Sequence, residues 1–311
     1  MEVLTGINSV LLKNIFIRIT MNKAYLSALL TILMWSSLAA LTITITHIPS
    51  LLSVGLVLIF ASLPGLKYWR QWKLPLKVWL SAIIGMFGYH YLLFDAFARS
   101  PAMSVNMIQY LWPLFIVLGT PLFSHAKLNL GHVIGAILGF SGVLLTLAQE
   151  PIAFNIDDLF GYGEAFIAAL LWAFYTLSNR RYTQMPMSAV AGFCLVSGIL
   201  ALSSYALTND VSAVIPSSFD LITIALLGLG PMGLSFYTWD YAIRHGDTRI
   251  IGALAYLAPL LSVIWMATFI PEITLSPIHL VTLFLIIGGA YLGQVIEKRK
   301  QELLAKIEPA A

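Results

Sequence analysis

Polar and charged residues gather along this chain at intervals of about twenty positions, and the stretches between them are almost wholly apolar. An apolar run of that length, wound as α-helix, spans the roughly 30 Å hydrocarbon core of a bilayer, so the pattern predicts membrane helices and not a barrel. Ten spans follow. The first half holds them near Ala24–Ile45, Leu51–Leu66, Val78–Ala98, Ala102–Phe123 and Val133–Leu147; the second near Leu159–Leu177, Met187–Leu207, Leu221–Ile243, Ile250–Ile270 and His279–Val295. Most connections are short, and no Gly/Ser-rich linker, low-complexity tract or like-charge tail interrupts them, so one membrane domain is expected.

Composition leads to the same place. With 59% hydrophobic residues, 10% charged residues and a mean hydropathy of +0.88, the chain cannot clothe a soluble globular surface. The single cysteine, Cys194, lies inside an apolar block and excludes an intrachain disulfide framework, a CxxC redox pair and a cysteine zinc cluster. The net charge of +3 matters less than its placement, because Lys and Arg near helix ends resist translocation. With the N-terminus inside, the inner segments hold Lys13, Arg18, Lys23, Lys67, Arg70, Lys73, Lys77, Lys127, Arg180, Arg181, Arg244, Arg249, Lys298, Arg299, Lys300 and Lys306; only Arg99 is left outside. Glu150, Asp157, Asp158, Asp210 and Glu272 fall on the outer side. An error in helix number would scramble this alternation, so the sorting favours ten helices with both termini cytoplasmic. The first twenty residues have an apolar centre but no small-residue cleavage site; they are read as an interfacial segment or an upstream start ahead of Met21, and not as a signal peptide.

An internal repeat organises the helices. GMFGYHYLLFDAFAR from Gly85 lies over GPMGLSFYTWDYAIR from Gly230, so that Gly85, Gly88, Asp95 and Arg99 meet Gly230, Gly233, Asp240 and Arg244. After a one-residue shift, MIQYLWPLF aligns with ALAYLAPLL, and Tyr110, Leu111 and Pro113 meet Tyr256, Leu257 and Pro259. Trp35 in the first span has Trp172 in the sixth. Five is odd, so the second copy enters the membrane in the opposite sense, and inverted repeats of this kind build transporters whose midplane site opens to either side in turn. Chance similarity of apolar sequence is the alternative. The expected organisation is all-α: a cytoplasmic or interfacial segment at 1–23, a first repeat at 24–148, an outer linker at 149–157, a second repeat at 158–296 and a cytoplasmic tail at 297–311.

With these residues in view, the chain resembles the drug/metabolite transporter superfamily, and within it the ten-helix EamA-type exporters, over nearly every span. Val105, Gln109, Tyr110, Leu111, Trp112 and Pro113, the stretch LLWAFYTLSNRRY from Leu170 and WDYAIRHGD from Trp239 are similar to bacterial aromatic amino acid exporters. The resemblance implies a multi-pass exporter of the bacterial inner membrane, with a central cavity lined by the third, fourth, sixth, eighth and ninth helices and a contribution from the first left open.

The candidate residues stand on their own physics beside it. Pro113 and Pro259 sit mid-span, lack an N–H and are expected to bend their helices toward a cavity wall, or to be inert kinks. Helical spacing puts Asn106, Gln109 and Pro113 on one face of the fourth helix, with Gly252, Ala255 and Pro259 at the equivalent places on the ninth; the two amides either bind a substrate carboxylate or amino group or bond between helices. His90, near the middle of the third span, is expected to face protein or water, as a substrate ligand, a proton carrier or a packed histidine. Asp95 with Arg99 and Asp240 with Arg244 are i,i+4 pairs, either local ion pairs or gates. Asp240, set among aromatics, and Glu164, in the sixth span, join His90 as candidate proton carriers. Trp172 and Tyr175, with Tyr110, Tyr237 and Tyr256, are candidates to line a cavity for flat or apolar side chains.

Four function classes compare as follows. A secondary transporter exporting amino acids, aromatic or otherwise neutral, fits best. A related carrier for a nucleoside, sugar, polyamine or cofactor, exporter or importer, is the alternative. The absence of GxxxxGK[ST], GxSxG and HExxH argues against a self-driven ATPase, an intramembrane enzyme and a metal site, and no cofactor or nucleic acid is expected. A channel would call for a repeated filter or oligomeric symmetry, whereas the repeat suits a monomer acting on a small molecule in the bilayer. Small loops and tails disfavour a scaffold or receptor.

Overall fold

A computed structural model of the chain describes residues 22–38, 41, 44–45, 47–100, 105, 108–124, 127–128, 130–148, 156–208, 215–261, 265 and 277–307; they form helices and turns, with no strand among them. Asn106, Lys13, Arg18, Glu150, Asp210 and Glu272 lie outside the described residues. Helix α1 covers 22–36, α2 covers Ser50–Ser62 and continues in 3₁₀ form over Leu63–Gln71, and α3 covers Leu76–Ile83, a π turn at Ile84–Gly88 and Tyr89–Arg99. Then come α4 (Trp112–Phe123), α5 (Leu130–Leu147), α6 (Leu159–Arg180) and α7 (Ala189–Thr208). Helix α8 joins Ser218–Leu229, a π turn at Gly230–Leu234 and Ser235–His245; α9 (Thr248–Leu254) turns at residues 255–256 and resumes to Leu261, and α10 covers Pro277–Ile307. Among the described residues five helices are long and apolar enough to cross a membrane: Ser50–Gln71, Leu76–Ala96, Leu159–Arg180, Ala189–Leu207 and Ser218–His245. Trp112–Phe123, Leu130–Leu145, Thr248–Leu261 and Leu280–Gly289 are apolar but shorter.

Hydropathy marks a span and propensity marks a helix, and the two part company at both ends of the chain. The first apolar block reaches Ile45, yet Thr44 and Ile45 are in turns. The alternating Thr/Ile run of 42–46 is β-branched and loses side-chain freedom in a helix. The last block ends near Val295, whereas α10 runs on to Ile307 because EKRKQELLAK is made of strong helix formers.

The two π turns fall on the glycines that the repeat aligns, and each is followed by an 11-residue helix, Tyr89–Arg99 and Ser235–His245. A Cβ on Gly85 would lie 2.2 Å from that of Tyr175 on α6, and one on Gly233 would lie 1.8 Å from the Gly228 carbonyl oxygen. Only glycine lets the wound turn form and the neighbouring helix approach. α4 is interrupted at Tyr110–Leu111, just before Pro113, and α9 at 255–256, just before Pro259. Pro113 thus stands in the first turn of Trp112–Phe123, where its missing N–H costs nothing.

α6 packs against α3, α4 and α8, while α2 pairs with α7 and α5 with α10. One end of the bundle collects basic connections. Lys77 lies 5.8 Å over the Tyr182 ring, Ser188 donates to Gln71 at 3.0 Å, Arg181 donates to the Leu122 carbonyl at 2.7 Å, and Arg249 donates to that of Lys127 at 2.8 Å. At the opposite end Ser100 donates to the Asp158 carbonyl at 3.0 Å and His47 lies 3.3 Å from Asp220. α3 leaves the basic end and α8 arrives at it.

Candidate functional site

Helix α6 supplies the site's spine. Trp172, Tyr175, Thr176 and Asn179 stand at i, i+3, i+4 and i+7, on one stripe of a 3.6-residue helix, and all four are buried. Opposite them, α8 resumes after its π turn with Ser235, Phe236, Trp239 and Asp240. α1 brings Trp35, α4 brings Trp112, and α3, directly after its own π turn, brings Tyr89 and His90.

These side chains converge on an aromatic cluster. The Trp35 ring lies 4.9 Å from Trp239, 5.7 Å from Trp112 and 5.8 Å from Trp172; Trp112 and Trp239 are 5.6 Å apart. Trp172 in turn contacts Tyr89 at 4.9 Å, Tyr175 at 5.4 Å and Phe236 at 5.7 Å. Most of these pairs meet edge-on or tilted, the arrangements that ring quadrupoles favour. Buried indole N–H groups need acceptors: Trp35 donates to Ser235 Oγ at 3.1 Å and Trp239 to Thr176 Oγ1 at 3.1 Å. A polar edge borders the cluster, where Gln109 Nε2 donates to Tyr89 Oη at 2.7 Å. His90 lies 4.7 Å from the Tyr89 ring and 5.7 Å from Phe236; its Nδ1–H donates to the Met86 carbonyl, which in the neutral ring makes Nε2 an acceptor.

Toward the basic end, the cluster gives way to a buried charge network. Asp240 accepts from Asn179 at 3.3 Å and from Arg244, with Asp240 and Arg244 side chains each 1% exposed. Arg244 also clasps the α6–α7 connection, donating to the Met185 and Tyr182 carbonyls and to Met187 Sδ. Beside it Arg180 donates to Thr248 at 2.7 Å, and Thr248 meets Thr120 at 3.1 Å, joining α6, α9 and α4. At the far end Arg99, 52% exposed, lies 2.6 Å from Asp95, 3.7 Å from Glu164 and 5.1 Å above the Phe160 ring. The two pairs equated by the repeat therefore occupy opposite environments, one buried and one open to solvent.

Of the residues singled out from sequence, His90, Gln109, Trp172, Tyr175 and Asp240 lie in or beside the cluster. Tyr110 and Tyr256 do not: they belong to a separate apolar group with Phe140, Val143 and Ile286, on the α5–α10 side. Tyr237 turns the other way, donating to the Ala61 carbonyl at 3.1 Å. Pro113 and Pro259 are buried at the helix interruptions, and Glu164 sits at the Arg99 end. Tyr89, Phe236 and Asn179 were not singled out, and Trp112 and Trp239 were named only within the stretches that carry the family resemblance. Asn179 was findable as the residue seven after Trp172; Trp239 precedes Asp240 in the quoted WDY.

A helical membrane bundle whose interior holds a shielded aromatic and polar cluster, charged at its two ends, is the architecture of a small-solute carrier. The chain belongs to the EamA-like transporter family, whose model matches residues 22–148 and 159–293. Membership makes it a transporter and not an enzyme, with the membrane as its setting. The aromatic amino acid exporter YddG of Ancylobacter novellus is 32% identical over 293 residues, covering 89% of this chain and 99% of that protein. Exporters of the same name from Salmonella typhimurium and Escherichia coli are each 27% identical, covering 78% of this chain and 87% of theirs. A crystal structure whose chain is 31% identical superposes with a TM-score of 0.83, covering 89% of this chain and 98% of that one.

Proposed function

We propose that the chain is a secondary transporter that exports aromatic or other neutral amino acids across the bacterial inner membrane by alternating access, as a monomer, with the Trp35–Trp112–Trp172–Trp239 cluster as its substrate site. The observation that carries this is the cluster itself. Indole, phenol and imidazole rings from five helices meet beside an amide and a hydroxyl, where a flat side chain stacks while Gln109, Tyr89 and His90 meet the amino and carboxyl groups. Relatives of up to 32% identity named for aromatic amino acid export support the substrate class. The charges nearest the cluster, Asp240 and Arg244, neutralise each other, so a net-neutral zwitterion enters at lower electrostatic cost than a polyamine or a phosphate ester.

In this reading the chain crosses the bilayer ten times as two inverted repeats, with its termini in the cytoplasm. Support comes from the matching π turns of α3 and α8, which run in opposite senses, and from the basic connections gathered at one end. The buried Asp240–Arg244 clasp with Arg180, Thr248 and Thr120 closes the inner end; the Asp95–Arg99–Glu164 group forms the outer gate. The test is counterflow in proteoliposomes preloaded with single unlabelled amino acids, following entry of labelled phenylalanine, threonine and methionine. Accelerated entry by a subset is expected. Silence across the panel, from vesicles holding folded protein, overturns the amino acid assignment and points to another metabolite.

A further inference from the structure

An apolar groove of about 330 Å³ lies outside the aromatic cluster, between α1 and α8 at the basic end of the bundle. Leu26, Ser27 and Leu30 of α1 form one wall, Tyr237, Thr238 and Tyr241 of α8 the other, with Met187 and Lys23 at its end. Above the groove α1 and α8 are held together by hydroxyls: Thr31 meets Thr238 at 2.6 Å and the Ser235 carbonyl at 3.3 Å, and Trp35 bonds Ser235. Nothing in the transport reading uses this space.

A second feature adjoins it. The 3₁₀ segment Leu63–Gln71 and the link to α3 carry Lys67, Arg70, Lys73 and Lys77 with no acidic residue between Leu63 and Lys77. Their apolar companions are turned outward, with Leu63, Tyr68, Trp69 and Leu76 all exposed. Lys67 lies 4.9 Å above the Tyr68 ring and Arg70 lies 5.6 Å from that of Trp69, so cations and aromatics share one surface. The segment reaches the groove directly: a Cβ on Gly65 would stand 3.3 Å from Tyr237 Oη, and Gln71 accepts from Ser188, the residue after Met187. Asp247, which lies near Tyr25 on α1, is engaged by Arg249 at 2.6 Å and does not neutralise this surface.

An apolar slot with Leu26 and Leu30 exposed, beside a basic and aromatic band, fits an amphiphile with one apolar chain and an anionic head. We propose that this face binds an anionic phospholipid of the adjoining leaflet, one acyl chain lying in the α1–α8 groove and the phosphodiester resting among Lys23, Lys67 and Arg70. Such a lipid braces the inner half of α1 against α8.

Native mass spectrometry of the detergent-solubilised full chain, incubated with equal amounts of dioleoyl phosphatidylglycerol and dioleoyl phosphatidylcholine, tests this, since the two lipids share acyl chains and differ in charge. The wild type is expected to retain phosphatidylglycerol at least about fivefold over phosphatidylcholine. The combined change Lys23→Gln, Lys67→Gln and Arg70→Gln brings that ratio to about one, and Leu30→Trp, which fills the groove, removes most bound phosphatidylglycerol. Leu26→Trp serves where Leu30→Trp does not melt as the wild type does. Equal retention of both lipids by the wild type, or a preference that survives both the charge removal and the groove filling, overturns the proposal. Because the assay reads lipid and not flux, its outcome is independent of the amino acid assignment.

Discussion

Asp95–Arg99 and Asp240–Arg244 share one spacing in sequence but not one role in stability. At the buried pair, Asp240→Asn leaves a guanidinium uncompensated and costs about 3–5 kcal/mol, whereas replacing both charges with apolar residues of similar size costs far less. The expected result is a melting temperature lowered by many degrees for Asp240→Asn and largely recovered in Asp240→Leu with Arg244→Met. Asp95→Asn, at the solvent-exposed pair, leaves the melt unchanged. Asp247 behaves differently again. Burial raises its pKa, but the hydrogen bonds and charge of Arg249 outweigh burial and hold the carboxyl below its ordinary range. A lowered native pKa contributes stability above the unfolded value of about 3.9 that is lost as pH falls through the native value. Asp247→Asn therefore melts below the wild type at pH 7, and the two curves converge as pH drops below about 4. Among the candidate proton carriers, His90 is committed to the Met86 carbonyl and Asp240 to Arg244, while Glu164 is approached by Arg99 only to 3.7 Å. If Glu164 carries the proton, Glu164→Gln abolishes accumulation driven by a pH gradient and keeps counterflow; retention of both removes that role.

Among the helices, α3 and α8 each depend on glycine at the π turn. Gly85→Ala forces a methyl into the Cβ of Tyr175, and overpacking of this kind costs about 1–3 kcal/mol, read as a lower melting temperature together with reduced counterflow. The same change at Gly163, whose added Cβ would meet no atom within 4 Å, is tolerated. These elements were partly legible beforehand. The paired glycines, the paired prolines and the Trp35–Trp172 correspondence all came from aligning the chain with itself, and Trp35 and Trp172 do touch, at 5.8 Å. What alignment does not convey is which neighbour a residue faces. Tyr110 and Tyr256 occupy equivalent places yet pack toward α5 and α10, because each helix is interrupted just before its proline and the rotation across that interruption is not written in a hydrophobic period. Helix ends were legible only where hydropathy and propensity agree, which fails at the β-branched end of the first span and at the polar extension of α10.

For the whole molecule, the apolar blocks and the placement of Lys and Arg foretold a helical membrane protein, and the bundle does gather basic connections at one end. The aromatic cluster was harder to see, since it draws single residues from helices far apart in sequence, and aromatic residues such as Trp69, Phe160, Phe219 and Phe284 are also exposed on the surface. The proposed substrate site rests on that cluster. The most direct test is phenylalanine counterflow by Trp172→Ala in proteoliposomes matched for folded protein, beside Phe284→Ala on the outward face of α10, which is 83% exposed. Removing the ring that touches Trp35, Tyr89, Tyr175 and Phe236 is predicted to lower exchange at least about tenfold, as loss of a buried aromatic anchor does, while Phe284→Ala exchanges like the wild type. Wild-type exchange by Trp172→Ala would contradict the placement of the substrate site in this cluster.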